Sequence, residues 1–460
     1  MAGPGQGRTI RLINVRIVRH GRIVEGPGTE LWVQNGKIID HYKRWWSSKD
    51  NSEYAADIVI DGQNAIVAPG FIDVQINGAY GVSFSEPSVS ADDVHHVGRC
   101  LLRHGVTSFV PTVVSSIPDV YAAVLPKLRP YSGSPSAGAT LLGVHLEGSS
   151  PFSAMLHPPN CFHQGRSLTR LSMEHMIRLS CVIQQMEWRG ILGVVGNETS
   201  SYPQCGVFSL MEVYGRDLSD IAIMTMAIEL PGAIEAMAET RKAFPNIAFS
   251  IGHSVATIED CRLAIEAGAT CVTHLFNAMQ NFHHRNPCII GTLAPGEHRI
   301  PFYGLICDGV HTHASAVAMA YKTHPTGAIL VTDAISAMGM AASTASSPTR
   351  LGTKPLEVST SQVVIAGTNC LAGSVGTFDG GLRRFKKYTA CTTVEAIDCA
   401  TLHPAQLLGI SNRKGVLDVG CDADFVLLDD DLNVLETYIA GELAWSSTQL
   451  PVVNGVCQRK

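Results

Sequence analysis

The sequence lacks any long basic run, and charged residues make up only 16% of it. With a formal net charge of -6, the chain offers no electrostatic footprint for nucleic acid or for an anionic membrane. Apolar runs such as residues 221–228 are far shorter than the roughly 20 residues of a membrane span. We therefore expect neither nucleic acid nor a membrane among the partners of this protein.

Cysteine is present at 13 positions, but no two cysteines form a Cys-x-x-Cys pair. This absence argues against a zinc ribbon and against a disulfide framework. The first seven residues also lack the apolar core of a signal peptide. Reduced thiols and the missing signal together predict a cytoplasmic protein.

Hydrophobic residues are plentiful, at 45% of the chain, and 43 glycines accompany them. This composition is typical of a folded globule with many tight turns. The 460 residues exceed the roughly 250 to 300 at which a single hydrophobic core stops growing. We therefore expect one large domain and a smaller one.

Both ends of the chain carry short β-like pieces separated by turn residues. They are Ile10–Val18, Arg22–Val24, Leu31–Gln34 and Lys37–Asp40 near the amino terminus, and Phe425–Leu428 near the carboxyl terminus. Because each end offers only an incomplete sheet, we expect the two to pack together as a small β-sandwich. The predicted division assigns residues 1–68 and 411–460 to the sandwich and residues 69–410 to an inserted domain.

In the middle of the chain, short apolar runs alternate with amphipathic stretches of helical length, the pattern of βα units around a parallel sheet. Eight runs occur, which is the number that closes a (β/α)8 barrel of the TIM type. They are Gly70–Ile76, Ser108–Val113, Leu141–Leu146, Ile221–Ile228, Ile247–Ile251, Cys271–Leu275, Phe302–Cys307 and Ala328–Thr332. The predicted fold class is therefore α/β, with the chemistry at the carboxyl ends of the strands.

Three potential metal ligands stand at or just after such strand ends: Glu147, His253 and His274. One carboxylate and two imidazoles suit a divalent ion that keeps one position open for water. Taken alone, His253 is more simply interpreted as a hydrogen-bonded loop residue. Three ligands on one rim favour a catalytic metal site.

Asp333 follows an apolar strand in Val331-Thr332-Asp333-Ala334. Burial and a nearby cation would tune the proton affinity of its carboxyl group, so we interpret it as a general base and then acid. The alternative role for Asp333 is to cap a following helix. The metal ligands favour the catalytic role.

Six short motifs accompany these positions in chain order. They are Val74-Gln75-Ile76-Asn77-Gly78, His145-Leu146-Glu147-Gly148, Ser250-Ile251-Gly252-His253-Ser254, Thr273-His274-Leu275-Phe276-Asn277-Ala278-Met279, Asp308-Gly309-Val310-His311-Thr312 and Val331-Thr332-Asp333-Ala334. Together they resemble the ordered signature of N-acetylglucosamine-6-phosphate deacetylases over nearly the whole chain. The resemblance implies removal of the acetyl group from a phosphosugar.

The resemblance implies Glu147, His253 and His274 as metal ligands and Asp333 as catalytic acid and base. Many amidohydrolases hold two metals with a His-x-His pair after the first strand, where this chain has Gln75 and Asn77. We therefore expect one divalent ion per subunit, either Zn, Fe, Co or Mn.

The resemblance also implies a set of residues around the substrate. His157 resembles the family histidine near the acetyl oxygen, where it would stabilise an oxyanion. The residues expected to bind substrate are Gln75, Asn277, Ala278, Arg285 and His311. The planar fork of Arg285 suits a phosphate dianion, and by resemblance it reaches the neighbouring site of a homodimer.

The chain departs from the family pattern in three places. One is Ala227-Ile228-Glu229-Leu230-Pro231, which keeps the glutamate of the usual Ala-Pro-Glu but moves the proline. Ser149 and Ser150 intervene before the expected Pro-aromatic pair, and Phe378-Asp379 replaces the usual Met-Asp. The altered loop motivates one alternative, a catalytically impaired scaffold of amidohydrolase type. Another alternative is an amidohydrolase acting on a different N-acyl substrate, against which Arg285 and His311 argue.

Overall fold

A computed structural model describes residues 8–41, 56–148, 207–296, 299–340, 350–351, 354–359, 362–447, 452–453 and 456–457. His157 and the altered loop from Ser149 onward lie outside the described residues.

The strands of the amino-terminal part are β1 (Thr9–Arg19), β2 (Arg22–Val24), β3 (Leu31–Gln34), β4 (Lys37–Ile38) and β5 (Ile58–Pro69). The middle of the chain contributes β6 (Phe71–Ile76), β7 (Gly78–Ala79), β8 (Val82–Ser83), β9 (Val106–Val114), β10 (Thr140–Leu141), β11 (Val144–Glu147), β12 (Ile221–Met226), β13 (Ala248–Ile251), β14 (Ala269–Val272), β15 (Phe302–Ile306), β16 (Ala328–Val331), β17 (Arg350–Leu351), β18 (Lys354–Val358) and β19 (Val363–Ile365). The last strands are β20 (Phe425–Leu428), β21 (Val434–Ile439), β22 (Glu442–Ser446), β23 (Val452–Val453) and β24 (Val456–Cys457).

The α-helices span Ala91–Leu101, Pro118–Val124, Val207–Tyr214, Ala233–Ala243, Ile258–Ala267, Ala314–Thr323, Phe378–Thr389, Thr393–Ala400 and Leu402–Leu407. Short 3-10 turns cover Leu102–His104, Leu125–Lys127, Ile289–Leu293 and Pro325–Gly327. Ser90, Thr257 and Thr392 each start a helix with a capping box, in which the side chain accepts the N–H of an acidic residue three positions later. None of the helices in the described residues is long and apolar enough to cross a bilayer.

Eight parallel strands form the barrel, which confirms the predicted fold class. The hydrogen-bonded order is β6, β9, β11, β12, β13, β14, β15 and β16. The barrel closes between β16 and β6, where the Asp333 N–H donates to the Gln75 carbonyl oxygen at 2.9 Å. The predicted run at 141–146 divides into β10 and β11 because the chain turns at Gly143, whose φ is 141°.

The two terminal segments share a sheet, which confirms that they come together. The order is β22, β21, β20, β5, β1, β3 and β4, so that β5 pairs with β1 on one side and with β20 on the other. Leu12, Val67 and Phe425 lie fully buried in the core of this sheet. Strand β5 was not predicted from the sequence, and the domain boundaries stay a prediction.

Candidate active site

The predicted site residues lie at the carboxyl ends of the barrel strands. Glu147 is the last residue of β11, and His253 and His274 each come two residues after β13 and β14. Asp333 comes two residues after β16, beside Gln75 in β6. Because parallel strands end on one rim of a barrel, these five side chains converge there.

Glu147, His253 and His274 form the only cluster of three or more potential metal ligands in the described part of the chain, with donor atoms within 4.8 Å of one another. Glu147 Oε1 lies 3.3 Å from His253 Nε2 and 3.0 Å from His274 Nε2. The two Nε2 atoms are 3.0 Å apart. In a tetrahedral site with bonds of about 2.0 Å, neighbouring ligand atoms stand about 3.3 Å apart. The three side chains therefore fit a divalent ion without rearrangement.

The charges of this cluster stabilise one another. Burial alone would raise the pKa of Glu147, but the hydrogen bonds and charges of the two histidines hold that pKa well below its usual value. Burial alone would lower the pKa of His274, and Glu147 reverses the effect, so that this pKa is raised. The two shifts favour an ionised Glu147 carboxylate beside the imidazole of His274.

The side chains that donate hydrogen bonds to Asp333 are neutral amides. Its Oδ1 accepts hydrogen bonds from Asn77 Nδ2 at 2.7 Å and from Gln75 Nε2 at 3.3 Å. Gln75 Nε2 also donates to Glu147 Oε1 at 2.5 Å, so one amide bridges the two carboxylates. Burial, and next the charge of Glu147, raises the pKa of Asp333 to about 7. That value suits a group that accepts and returns a proton near neutral pH.

The backbone is strained at the three rim positions that follow strands. His253, His274 and Asp333 have φ angles of 50°, 27° and 46°, in the left-handed region that residues other than glycine rarely adopt. Such strain persists only where surrounding contacts hold it, and it concentrates at functional sites. The strain therefore supports a functional role for this rim.

Asp73 is a buried carboxylate that the sequence analysis missed. Its Oδ2 accepts a hydrogen bond from Thr332 Oγ1 at 2.6 Å, and its Oδ1 accepts the backbone N–H of Thr332 at 3.3 Å. The Gln75 N–H also points to Asp73 Oδ1, at 3.3 Å. Burial raises the pKa of Asp73 to about 7, against the opposing hydrogen bonds of Thr332. The available signal was a charged residue inside an apolar strand.

His311 lies beside Asp308 on the loop after β15. Its Nδ1 is 2.6 Å from Asp308 Oδ2, and both side chains are almost completely buried. The other carboxylate oxygen accepts the backbone N–H groups of Val310 and His311 at 2.8 and 2.9 Å. Burial alone would raise the pKa of Asp308, but His311 outweighs it and the pKa is lowered. Asp308 therefore holds His311 in one orientation.

Asn277 and Ala278 lie on a tight loop directly after His274. The Asn277 N–H donates to the His274 carbonyl oxygen at 2.9 Å, and the Ala278 carbonyl oxygen accepts the Ser254 N–H at 3.3 Å. Glu229 fixes the same region, because its carboxylate accepts the Ser254 hydroxyl at 2.5 Å. These contacts join the loops that follow β13 and β14.

Arg285 stands apart from these residues. It is exposed, and its guanidinium lies 3.1 Å from His284 Nε2 on a turn between His283 and Asn286. Among the described residues, none of its hydrogen bonds reaches the rim. Phe282, next to this turn, is also exposed, at 56%. An exposed aromatic beside an unburied arginine is typical of a protein interface.

Known proteins share this architecture. A family model described as Amidohydrolase family matches residues 66–444. The N-acetylglucosamine-6-phosphate deacetylase of Danio rerio is 40% identical over 447 residues, covering 95% of this chain and 96% of that protein. The deacetylase of Homo sapiens is 39% identical, covering 97% and 98%. The solved structure of the Thermotoga maritima deacetylase has a TM-score of 0.68 at 26% identity, covering 95% of this chain and 100% of that one.

Proposed function

Since this chain belongs to the amidohydrolase family and, within it, to the N-acetylglucosamine-6-phosphate deacetylases, we propose that it hydrolyses N-acetylglucosamine 6-phosphate. The products are acetate and glucosamine 6-phosphate, in aminosugar catabolism. The observation that carries the proposal is the convergence of Glu147, His253 and His274 beside Asp333 on one rim. A scaffold without activity would have no reason to retain both the ligands and the base.

We assign Glu147, His253 and His274 as ligands of one divalent ion, either Zn, Fe, Co or Mn. Such an ion lowers the pKa of water and polarises a carbonyl, the two changes that amide hydrolysis requires. Gln75 occupies the neighbouring position and donates to Glu147, so it orients that carboxylate. It also faces Asp333, which places Gln75 between the ligands and the base.

Asp333 is the proton carrier in this proposal. In its ionised form it accepts a proton from the attacking water, and in its protonated form it returns that proton to the departing amine nitrogen. A pKa of about 7 allows both forms near neutral pH. Asn77 holds Oδ1 of this carboxylate in place. We assign the stabilisation of the developing oxyanion to His157, which lies outside the described residues.

The phosphosugar is bound by a second group of residues. His311, held by Asp308, and the loop with Asn277 and Ala278 border the ligand cluster and face the sugar and its phosphate in this proposal. Arg285 binds the phosphate of a substrate molecule held in the active site of the neighbouring subunit. A homodimer is therefore the active unit in this proposal. The exposed position of Arg285 next to Phe282 supports this assignment.

We also place the protein in the cytoplasm. Nine cysteines in the described part of the chain are free thiols, as a reducing compartment would keep them.

The test of the function is acetate release from N-acetylglucosamine 6-phosphate by the purified protein, with and without a chelator. We expect turnover that stops with the chelator and returns with added metal. Asp333→Asn is the matched control, since it preserves the shape of the side chain and removes its basicity. A metal-loaded protein that releases no acetate would contradict the proposal.

The phosphate assignment has its own test. Arg285→Ala should raise KM for the phosphosugar at least tenfold with a smaller change in kcat, because a charge-assisted contact of this kind contributes about 1.5 to 3 kcal/mol. Sedimentation velocity establishes whether wild type and variant are dimers. An unchanged KM, or an active monomer, would remove Arg285 from the site.

A further inference from the structure

A chain of buried side-chain hydrogen bonds runs beneath the proposed metal ligands. His145 Nε2 lies 2.7 Å from Thr225 Oγ1, and Thr225 Oγ1 lies 2.7 Å from Thr273 Oγ1. Ser250 Oγ completes the chain at 2.6 Å from Thr273 Oγ1. All four side chains are at most 3% exposed. We call this set the hydroxyl chain.

The hydroxyl chain connects every strand that carries a proposed ligand. His145 lies two residues before Glu147 on β11, and side chains two apart on a strand face the same side. Ser250 lies on β13, and Thr273 directly precedes His274 after β14. Thr225 comes from β12, a strand that carries no proposed ligand. Its hydroxyl therefore joins the three ligand strands to one another.

The hydroxyl chain also supports the loop that presents His253. A Cβ atom at Gly252 would lie 2.6 Å from Thr273 Cβ and 2.9 Å from Thr225 Cγ2, so only glycine fits there. The backbone next to His253 thus rests directly on the two threonines. His253 itself has a φ of 50°, a conformation that needs such support.

The direction of the hydrogen bonds in the hydroxyl chain depends on which ring nitrogen of His145 carries the proton. A neutral imidazole carries a proton on one ring nitrogen and accepts a hydrogen bond at the other. We assign that proton to Nδ1, which lies on the side of Thr112, 3.5 Å from its Oγ1. Nε2 is then left to accept from Thr225, which accepts from Thr273 in turn. One defined arrangement of protons satisfies the whole chain.

We propose that Thr225, through the hydroxyl chain to His145, Thr273 and Ser250, is a positioning residue that holds Glu147, His253 and His274 in metal-binding geometry. The inference rests on the proposed metal site. Partners behind metal ligands orient them, and their loss typically costs 10-fold to 100-fold in metal affinity. A polar network that is fully satisfied also fixes a single arrangement of a core.

The experiment compares Thr225→Val with Thr225→Ser in the full chain, by titrating the metal-free protein with Co²⁺ and recording its visible absorption. Thr225→Val keeps the shape of the side chain but leaves His145 Nε2 without its donor. We expect Co²⁺ affinity to fall about 10-fold to 100-fold with a changed absorption band. We expect kcat to fall with little change in KM, and Thr225→Ser to restore affinity and spectrum.

Thr240→Val is the matched control. Thr240 is fully buried in the helix Ala233–Ala243, and within the described residues its hydroxyl has no hydrogen-bond partner. The control should bind Co²⁺ like wild type. Should Thr225→Val fail to fold, Ser250→Ala removes the last donor of the chain with a smaller change, and we expect a severalfold loss of affinity.

Wild-type affinity and spectrum in Thr225→Val would overturn the inference. An equal loss in Thr225→Ser, which keeps the hydroxyl, would overturn it too, because the effect would then not come from the hydroxyl. A wild-type protein that binds no Co²⁺ at one ion per subunit would overturn the metal site itself and the inference with it. The two failures are therefore distinguishable.

Discussion

Two buried carboxylates on the same rim, Glu147 and Asp333, accept hydrogen bonds from the same Gln75 amide. The pKa of Glu147 is well below its usual value, whereas that of Asp333 is raised to about 7. Burial acts on both in the same direction. The difference arises because Glu147 faces two imidazoles, while the donors to Asp333 are neutral amides.

The rim therefore has two sides with different chemistry. We name the two sides by their proposed roles, and the metal side consists of Glu147, His253 and His274. The base side consists of Asp73, Asn77 and Asp333, with Gln75 between the two. Local charge, and not residue type, makes one carboxylate a permanent anion suited to bind a cation and the other a group that exchanges protons.

Exchanging each carboxylate for its amide should separate the two sides most clearly. We expect Asp333→Asn to lose about 10³-fold in turnover while it still binds metal, since general acid–base catalysis contributes 10²- to 10⁴-fold. Glu147→Gln should lose more than about 100-fold in metal affinity, a larger loss than that from an outer partner. Metal titration and acetate release on both variants are the measurements. Equal metal loss in both would show that the sides are not distinct.

The variant Asp73→Asn tests the base side through the free energy of unfolding. The pKa of Asp73 is raised to about 7 by burial, above an unfolded value of about 3.9. The folded state therefore binds the proton more tightly, and wild type loses stability as pH rises through this window. Relative to wild type, Asp73→Asn should gain about 2 to 4 kcal/mol between pH 4 and pH 8, since one pKa unit is about 1.4 kcal/mol.

Denaturant unfolding of the metal-free protein at several pH values measures this difference. Asn retains groups that can pair with Thr332, so the change mainly removes a charge that burial disfavours and that Asp333 also repels. A stability difference that does not vary with pH would mean that Asp73 is already ionised at pH 4.

The activity should depend on pH through Asp333. Below its pKa the carboxyl group is protonated and cannot accept a proton from water, so kcat/KM should fall about tenfold per pH unit. A bound cation lowers the pKa of a nearby carboxyl, which places this limb at or below pH 7 in the metal-loaded enzyme. A pH-rate profile from pH 4.5 to 9 measures the limb. A profile without an acid limb would exclude Asp333 as the base.

The smallest effect that we expect is a change in stability at a small cavity behind the base side. Gly381, in the helix Phe378–Thr389, borders a small cavity together with Asp308 and Thr332. A Cβ at Gly381 would meet nothing closer than the Cys307 carbonyl oxygen at 3.8 Å. Gly381→Ala should therefore stabilise the fold by about 1 kcal/mol, through helix propensity, and leave activity unchanged.

Gly380→Ala is the comparison for this change, because its Cβ would lie 2.9 Å from Thr377 Oγ1 and force a shift. It should gain less than Gly381→Ala in thermal unfolding. Equal gains would mean that packing behind the base side contributes nothing.

Sequence reasoning located most of the barrel and the ligand cluster. The eight apolar runs carry their own signal, and Glu147, His253, His274 and Asp333 stand out as polar residues at strand ends. The structure places them where that pattern predicts. Local patterns were sufficient because each strand positions its own terminal residue.

Contacts between distant segments could not be predicted in the same way. Asp73 meets Thr332 across 259 positions, and His145 meets Thr225 across 80. In the sequence, each of these residues is only a polar side chain within an apolar strand. The left-handed backbone at His253 and Asp333 also carries little sequence signal, because histidine and aspartate adopt this conformation only occasionally.

The position of β5 has a consequence for synthesis on the ribosome. β1 precedes β5 in the chain, but β20 and β24, which also pair with β5, emerge only after the entire barrel has been translated. At about 5 to 20 residues per second, that edge stays unpaired for tens of seconds. An open apolar edge can join another chain, so the nascent protein is most exposed to aggregation during this interval. A chaperone that shields this edge would therefore raise the yield of folded protein more than one that acts on the completed chain.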